Sequence, residues 1–496
     1  MAFDPPIVKL AGIAPEICLV VTALVLMVMD AFVVRIAPAN TRWYSPVLAS
    51  LGLTAATVFA ISEWGSNELQ LGNMIALDGF AVFVKIMLAV FATLTVWLAR
   101  DYLQREGIEE SEFYVLVLFA TAGMMLMASA ADLIVLFLAL ETFSLALYVL
   151  VGFRRRAGIG QEASLKYFLL GAFSSAFFLF GIALAYGAAG TTTYYAANST
   201  SSSIARFLAS TPSSDLGLIV IATGFLIVGL AFKIAAAPFH MWTPDAYQGA
   251  PSPVTGFMAA ATKVAAFAAT LRLLDAVFFP LRWDWRPLVI GLAIVTMIVG
   301  SIVACVQEDL KRLLAYSSIA HAGFILTGVV AANDRGISGA LFYLATYGVT
   351  VVGAFAVLSV ISGRDEKRIR MSDFKGLFYE SPLLAGAFTL FLFSLAGVPL
   401  TAGFVGKLVV FGAAIQAGYA WLAVIGVIAS AIAAFFYLRV MVVMYMQEPD
   451  VAMPPARLGP FADGVIAIAA ASTVIFGLLW GPLVQAAEQA TFIAGR

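Results

Sequence analysis

Apolar residues run in windows of about twenty along nearly the whole chain, separated by short polar stretches. A helix needs about 20 such residues to cross a hydrocarbon core. By that criterion the sequence predicts fourteen spans: 12–34, 44–62, 79–99, 112–130, 132–153, 164–189, 215–237, 253–274, 287–306, 311–331, 337–361, 382–412, 419–446 and 463–486. Only Ala131–Asp132 separate the fourth and fifth, which predicts a tight connection. The twelfth window is too long for one plain crossing and contains Gly397, Pro399 and Gly403, which predicts a broken helix. The seventh and eighth windows flank a polar hinge with Pro238, Pro244, Pro251 and Pro253, which predicts another break. The expected fold is an all-α polytopic membrane protein with broken helices 7 and 12.

Composition closes off the alternatives. The chain has 496 residues, 62% hydrophobic and 11% charged, with net charge −1. Soluble domains are roughly 25% charged, so no soluble core competes, and there is no basic footprint for nucleic acid. Cys18 and Cys305 are the only cysteines, and His240 and His321 the only histidines. A four-cysteine iron–sulfur site cannot be built from that set, and no Walker-type phosphate loop is present. No cofactor is expected in this chain. Within a redox machine it would not be the part that carries electrons. The N-terminus lacks a basic n-region and a cleavage site, so Pro15–Val34 reads as a retained first span.

Lysine and arginine in the loops set orientation. Loops after odd spans hold sixteen, including Arg35, Arg42, Arg154, Arg156, Lys311, Lys367 and Arg457. Loops after even spans hold five: Arg206, Arg272, Arg282, Arg286 and Arg335. The odd loops are therefore expected in the cytoplasm and both termini outside, which in a bacterial inner membrane would be the periplasm.

A few ionisable groups remain at depth: Glu141 in span 5, Lys233 in span 7, Lys263 in span 8 and Lys407 in span 12, with His321 in span 10. A charged side chain there costs about 2.5–3.5 kcal/mol on insertion scales. It persists if it is paired, wet or used. Glu141 lies near mid-bilayer, and Lys233 is its natural partner. Away from water the neutral forms gain, while an opposite charge restores the ionised ones. Such a pair switches state when a nearby charge changes, which is what a proton switch requires. The bland alternative is a set of static ion pairs that fix helix register, but three lysines and one glutamate cannot all pair. His321 is either a bonded core histidine or a relay between Lys263 and Lys407. Lys85 either snorkels or has a role of its own. His240 either lines the path or caps broken backbone. Asp30 and Arg439 read as interfacial.

Glu141 precedes Lys233 by 92 residues and His321 precedes Lys407 by 86, each time two spans apart. Spans 4–8 and 9–13 would then be inverted five-helix repeats. The chain divides accordingly into 1–111 (three N-terminal helices), 112–274 and 287–446 (the two repeats) and 463–496 (the last helix).

Four segments carry a family resemblance: FLALETFSLALYVLVGFRR (137–155), AFKIAAAPFHMWTPDAYQGAPSPVTGFMAAATKVAAF (231–267), QEDLKRLLAYSSIAHAGF (307–324) and GVPLTAGFVGKL (397–408). They resemble the antiporter-like membrane subunits of the proton-pumping NADH–quinone oxidoreductases, respiratory complex I. The resemblance implies proton-translocation roles for Glu141, Lys233, Lys263 and Lys407, and a relay past His321. It implies NADH and quinone chemistry in other subunits, and partners among complex I membrane and peripheral subunits, neighbouring antiporter-like subunits and lipids. Lysine rather than glutamate at 407, and a chain end at Arg496 without a long lateral helix, separate it from two branches of that family. Subunits of multi-subunit cation/proton antiporters share the lysines and are the alternative.

Overall fold

A computed structural model describes residues 10–33, 43–108, 110–155, 157–195, 202–448 and 459–493. Arg35, Arg42, Arg156 and Arg457 of the charge count lie outside them. The helices are α1 (Ala14–Val33), α2 (Tyr44–Ser62), α3 (Gly79–Glu106), α4 (Ser111–Ser129), α5 (Leu133–Val151) and α6 (Gly158–Ala189). A short α7 (Ile204–Ser210) precedes α8 (Gly217–Ile234), α9 (Trp242–Gly249), α10 (Ser252–Phe257), α11 (Lys263–Leu271), α12 (Arg282–Ala304), α13 (Leu310–Ala331) and α14 (Asp334–Ile361). Then come α15 (Leu377–Glu380), α16 (Pro382–Ala396), α17 (Ala402–Gln416), α18 (Ala420–Met446), α19 (Pro460–Leu478) and α20 (Gly481–Gln489). Among the described residues thirteen helices are long and apolar enough to cross a membrane. The shorter pair α16 and α17 stands where the twelfth window was expected to break.

Polar residues at the window edges start several helices by taking free backbone N–H groups. Asp78 accepts from Ala81 at 2.8 Å, Asp132 from Ile134 at 2.8 Å, Asp309 from Lys311 at 2.9 Å and Asn333 from Gly336 at 2.8 Å. The seventh window ends at Ala235, which takes a left-handed conformation with φ +62°. The twelfth is interrupted at Gly397, φ +89°. Freed backbone at both places bonds inside the protein, as broken helix at membrane depth requires. Ala237 N–H donates to Thr296 at 2.9 Å, the Trp242 indole to the Phe232 carbonyl at 2.9 Å, and Gly403 N–H to Ser394 Oγ at 3.0 Å.

Three features depart from the sequence reading. The eighth span runs on to Val277 through π-helical turns at Met258–Thr262 and Arg272–Val277. Arg272, counted as a loop cation, is therefore buried at 1% exposure. The last span stops at Leu478, because Pro482 lacks the N–H to continue the ladder; α20 turns off as a separate helix. A two-stranded antiparallel hairpin, β1 (Glu68–Gln70) and β2 (Ile75–Leu77), joins α2 to α3. It is stitched to the α4–α5 turn by Ala131 N–H donating to Met74 at 2.8 Å.

The core is central. Apolar windows in α13 and α14 are 94% and 100% buried, against 33% for α1 and 28% for α19. The segment 252–277 is likewise wholly enclosed. The charged groups ride on these interior helices or on the two breaks beside them.

Candidate proton-transfer axis

Both breaks end a helix with free carbonyls, and a lysine meets each set. Lys263 Nζ donates to the Ile234 carbonyl, the last residue of α8, at 3.0 Å. Lys407 Nζ donates to the Leu395 and Ala396 carbonyls, the end of α16, at 3.0 and 2.8 Å. It also donates to Ser430 Oγ of α18 at 2.7 Å. A helix C-terminus carries partial negative charge that favours a cation. The sites share one construction: an interrupted helix supplies carbonyls and a lysine further along the chain occupies them, from the next crossing at the first break and from the second half of the same crossing at the second. A π-helical turn lies directly before Lys263. Such insertions re-aim side chains, and they occur often at functional sites.

Lys233 lies near the end of α8, 3% exposed. Its Nζ donates to Ser144 Oγ at 2.7 Å and sits 5.5–5.8 Å from the ring centroids of Phe143, Tyr148, Tyr167 and Phe232. Those ring faces attract a cation. Glu141, one turn before Ser144 on α5, accepts from Ser175 of α6. The two charges make no direct ion pair; each is held by a serine.

His321 lies on α13, 2% exposed. Its Nδ1 shares a hydrogen bond with Tyr343 Oη at 2.8 Å and its Nε2 one with Tyr437 Oη at 3.3 Å. Tyr347 packs against the ring with centroids 4.8 Å apart. Tyr437 is bonded onward to Ser317, and Tyr247 Oη lies 3.5 Å from Ser318 Oγ. Imidazole and phenol each donate and accept, so Tyr343, His321, Tyr437 and Ser317 form one continuous hydrogen-bonded run. His240 lies in the turn before α9, its Nδ1 buried without a hydrogen bond. Lys85 does not snorkel: it is fully buried on α3 beside Glu16. Asp30 accepts from Tyr44 and Ser111, and Arg439 donates to the Cys305 carbonyl.

Sequence reasoning found the charged groups and missed the neutral ones that hold them. Ser144, Ser175, Ser430, Tyr343 and Tyr437 look, in the sequence, like other small or aromatic residues of apolar windows. A clue existed in Tyr343 and Tyr347, one turn apart near the middle of a wholly buried helix window.

Two interrupted helices with lysines on their open ends, and a histidine on an interior helix between them, define an antiporter-like membrane subunit. Residues 130–433 match the family described as the NADH:quinone oxidoreductase/Mrp antiporter transmembrane region. NADH-quinone oxidoreductase subunit N of Trichlorobacter lovleyi is 43% identical over 97% of both chains. That of Chloroflexus aggregans is 42% identical over 99% of both. The chain belongs to the NADH-quinone oxidoreductase subunit N family. Among solved structures, a chain of respiratory complex I from Thermus thermophilus with bound aureothin superposes with TM-score 0.79 at 35% identity, over 97% of this chain and 100% of that one. A chain of the Mrp complex from Dietzia sp. superposes with TM-score 0.82 at 22% identity, over 97% and 96%, a likeness of fold alone.

Proposed function

We infer that this chain is a proton-translocating membrane subunit of NADH-quinone oxidoreductase, moving protons from cytoplasm to periplasm while other subunits carry the flavin, iron–sulfur and quinone chemistry. Lys263 loads from the cytoplasm, His321 with its tyrosines relays, and Lys407 hands the proton outward. Glu141 and Lys233 respond to a neighbouring antiporter-like subunit and bias Lys263. The observation that carries this reading is the matched seating of Lys263 and Lys407 on the open ends of two broken helices, with His321 hydrogen-bonded between two phenols.

The energetics are adequate. A charge crossing the membrane works against about 2.3 kcal/mol per 100 mV. Two unit charges 4 Å apart interact by about 4 kcal/mol at an effective dielectric of 20. Opening one charge contact therefore covers the work of one transfer. Glu141 and Lys233, each held by a serine and not locked together, are the pair that would form and break such a contact.

The test is substitution in the assembled complex. Glu141→Ala or Lys233→Ala should lower NADH-driven quinone reduction and proton pumping together, with the complex intact on a native gel. Normal pumping in an assembled complex carrying either change removes the coupling role. The fold is shared with cation/proton antiporter complexes; a sodium-dependent flux in vesicles, absent with protons alone, would move the reading there.

A further inference from the structure

The three N-terminal helices lie outside the matched antiporter region, yet they enclose charge of their own. Lys85 of α3 is fully buried. Its Nζ donates to the Gly12 carbonyl at 2.8 Å, lies 2.9 Å from Glu16 Oε1 of α1, and lies 4.0 Å from Glu63 Oε2 at the end of α2. Glu16 and Glu63 are 6% and 7% exposed. Glu63 Oε2 points into the cluster without a hydrogen-bond partner. Two carboxylates and one ammonium leave one negative charge over if all are ionised. A buried excess charge is costly, and a proton removes it.

Helix position decides which carboxyl takes the proton. Glu16 lies in the first turn of α1, where the helix dipole favours an anion. Glu63 directly follows the last residue of α2, where the same dipole opposes one. Glu16 also holds the short contact to Lys85. From β1, Gln70 closes the cluster by accepting from Gly12 N–H at 2.7 Å and donating to Glu68 at 2.5 Å. Among the described residues, the ionisable groups facing Glu63 are Glu16 from α1, Lys85 from α3 and, behind Gln70, Glu68 from β1.

We propose that Glu63, set against the Glu16–Lys85 ion pair, is a proton-binding site at the membrane face where α1 begins and α2 ends, separate from the axis through Lys263 and Lys407. Burial lifts the Glu63 carboxyl to about 7, with Lys85 opposing and Glu16 reinforcing the rise. Its occupancy therefore changes across neutrality. Loaded, the trio of Glu16, Lys85 and Glu63 is neutral and holds α1 and α2 against α3. Unloaded, Lys85 divides itself between two anions.

The site is read with the complex idle, so its failure leaves the axis reading untouched. Infrared difference spectra of the intact purified complex, taken across neutral pH, should show a protonated-carboxyl stretch that vanishes on the alkaline side and is missing in Glu63→Gln. Glu16→Gln gives Lys85 to Glu63 alone and should move the midpoint down by about one pH unit or more. A spectrum unchanged by Glu63→Gln, or a midpoint unmoved by Glu16→Gln, overturns the site. If Glu63→Gln does not assemble, Glu63→Asp keeps the charge and must displace the band; an undisplaced band overturns it equally.

Discussion

Single residues in this protein are stabilised by the partners they find, and the clearest case is one the loop count misplaced. Arg272 and Asp78, both 1% exposed, form a two-pronged pair at 2.7 and 2.9 Å. Arg272 Nε also donates to the Ala128 carbonyl at 3.2 Å, and Asp78 accepts from Ile493 N–H at 3.1 Å. The pair ties the end of the Lys263 helix to the start of α3 and to the C-terminal segment. Removing one partner strands the other charge, at a cost of about 3–5 kcal/mol. Arg272→Ala should therefore lower the thermal midpoint of the complex or its assembled yield. Arg272→Lys should recover only part, because an ammonium lacks the planar fork. A full-strength Arg272→Ala complex would show that this contact is dispensable.

Among the elements, the hinge between α9 and α10 is held from one membrane face by a clamp. Glu366, buried in the loop after α14, accepts from Ser252 N–H at 2.7 Å and Ser252 Oγ at 2.5 Å, at the start of α10. Lys311 sits 2.9 Å from Glu366 and donates to the Ala250 carbonyl at 2.5 Å, just past the end of α9. Arg154 adds a contact at 3.2 Å. Burial pushes the Glu366 carboxyl up, but Lys311, the Ser252 bonds and Arg154 outweigh it and hold the group below its ordinary value. A depressed folded value means stabilisation that is present above the ordinary carboxylate range and lost as pH falls through the folded one. Glu366→Gln should be less stable than the parent at neutral pH, and the gap should narrow on acidification. Thermal melts of the solubilised complex across that range check the sign; a gap that widens in acid contradicts the clamp. The loop after the eleventh window was expected in the cytoplasm, and nothing in its residue spacing announced that one of its glutamates turns inward.

For the whole molecule, orientation across the two compartments sets the direction of proton uptake. The loops containing Lys367 and Ser213 follow odd and even spans, and both residues are exposed. With Cys18 and Cys305 replaced by serine, a cysteine at Lys367 should react with an impermeant thiol reagent only from the cytoplasmic side. One at Ser213 should react only from the periplasmic side. The reverse pattern would invert the orientation and with it the direction of proton uptake. The hairpin, the α4–α5 turn and the loop at 191–195 gather on one face, with Tyr194 N–H donating to Ala131 at 2.8 Å. The Glu366 clamp gathers the loops of the other.

Hydrophobic run length was enough to read thirteen of the spans and their order, because in a bilayer a helix must satisfy its own backbone and stay apolar for a fixed distance. Glycine and proline marked both breaks for the same reason. The cost of charge in hydrocarbon singled out Glu141, Lys233, Lys263 and Lys407. What those charges touch was settled only by the packing of helices distant in the chain: Lys263 on Ile234, Lys407 on Ser430, Lys233 on Ser144, His321 between Tyr343 and Tyr437. A hydroxyl or a carbonyl costs little in an apolar window and leaves no mark there, so its meaning exists only once another helix brings a charge to it.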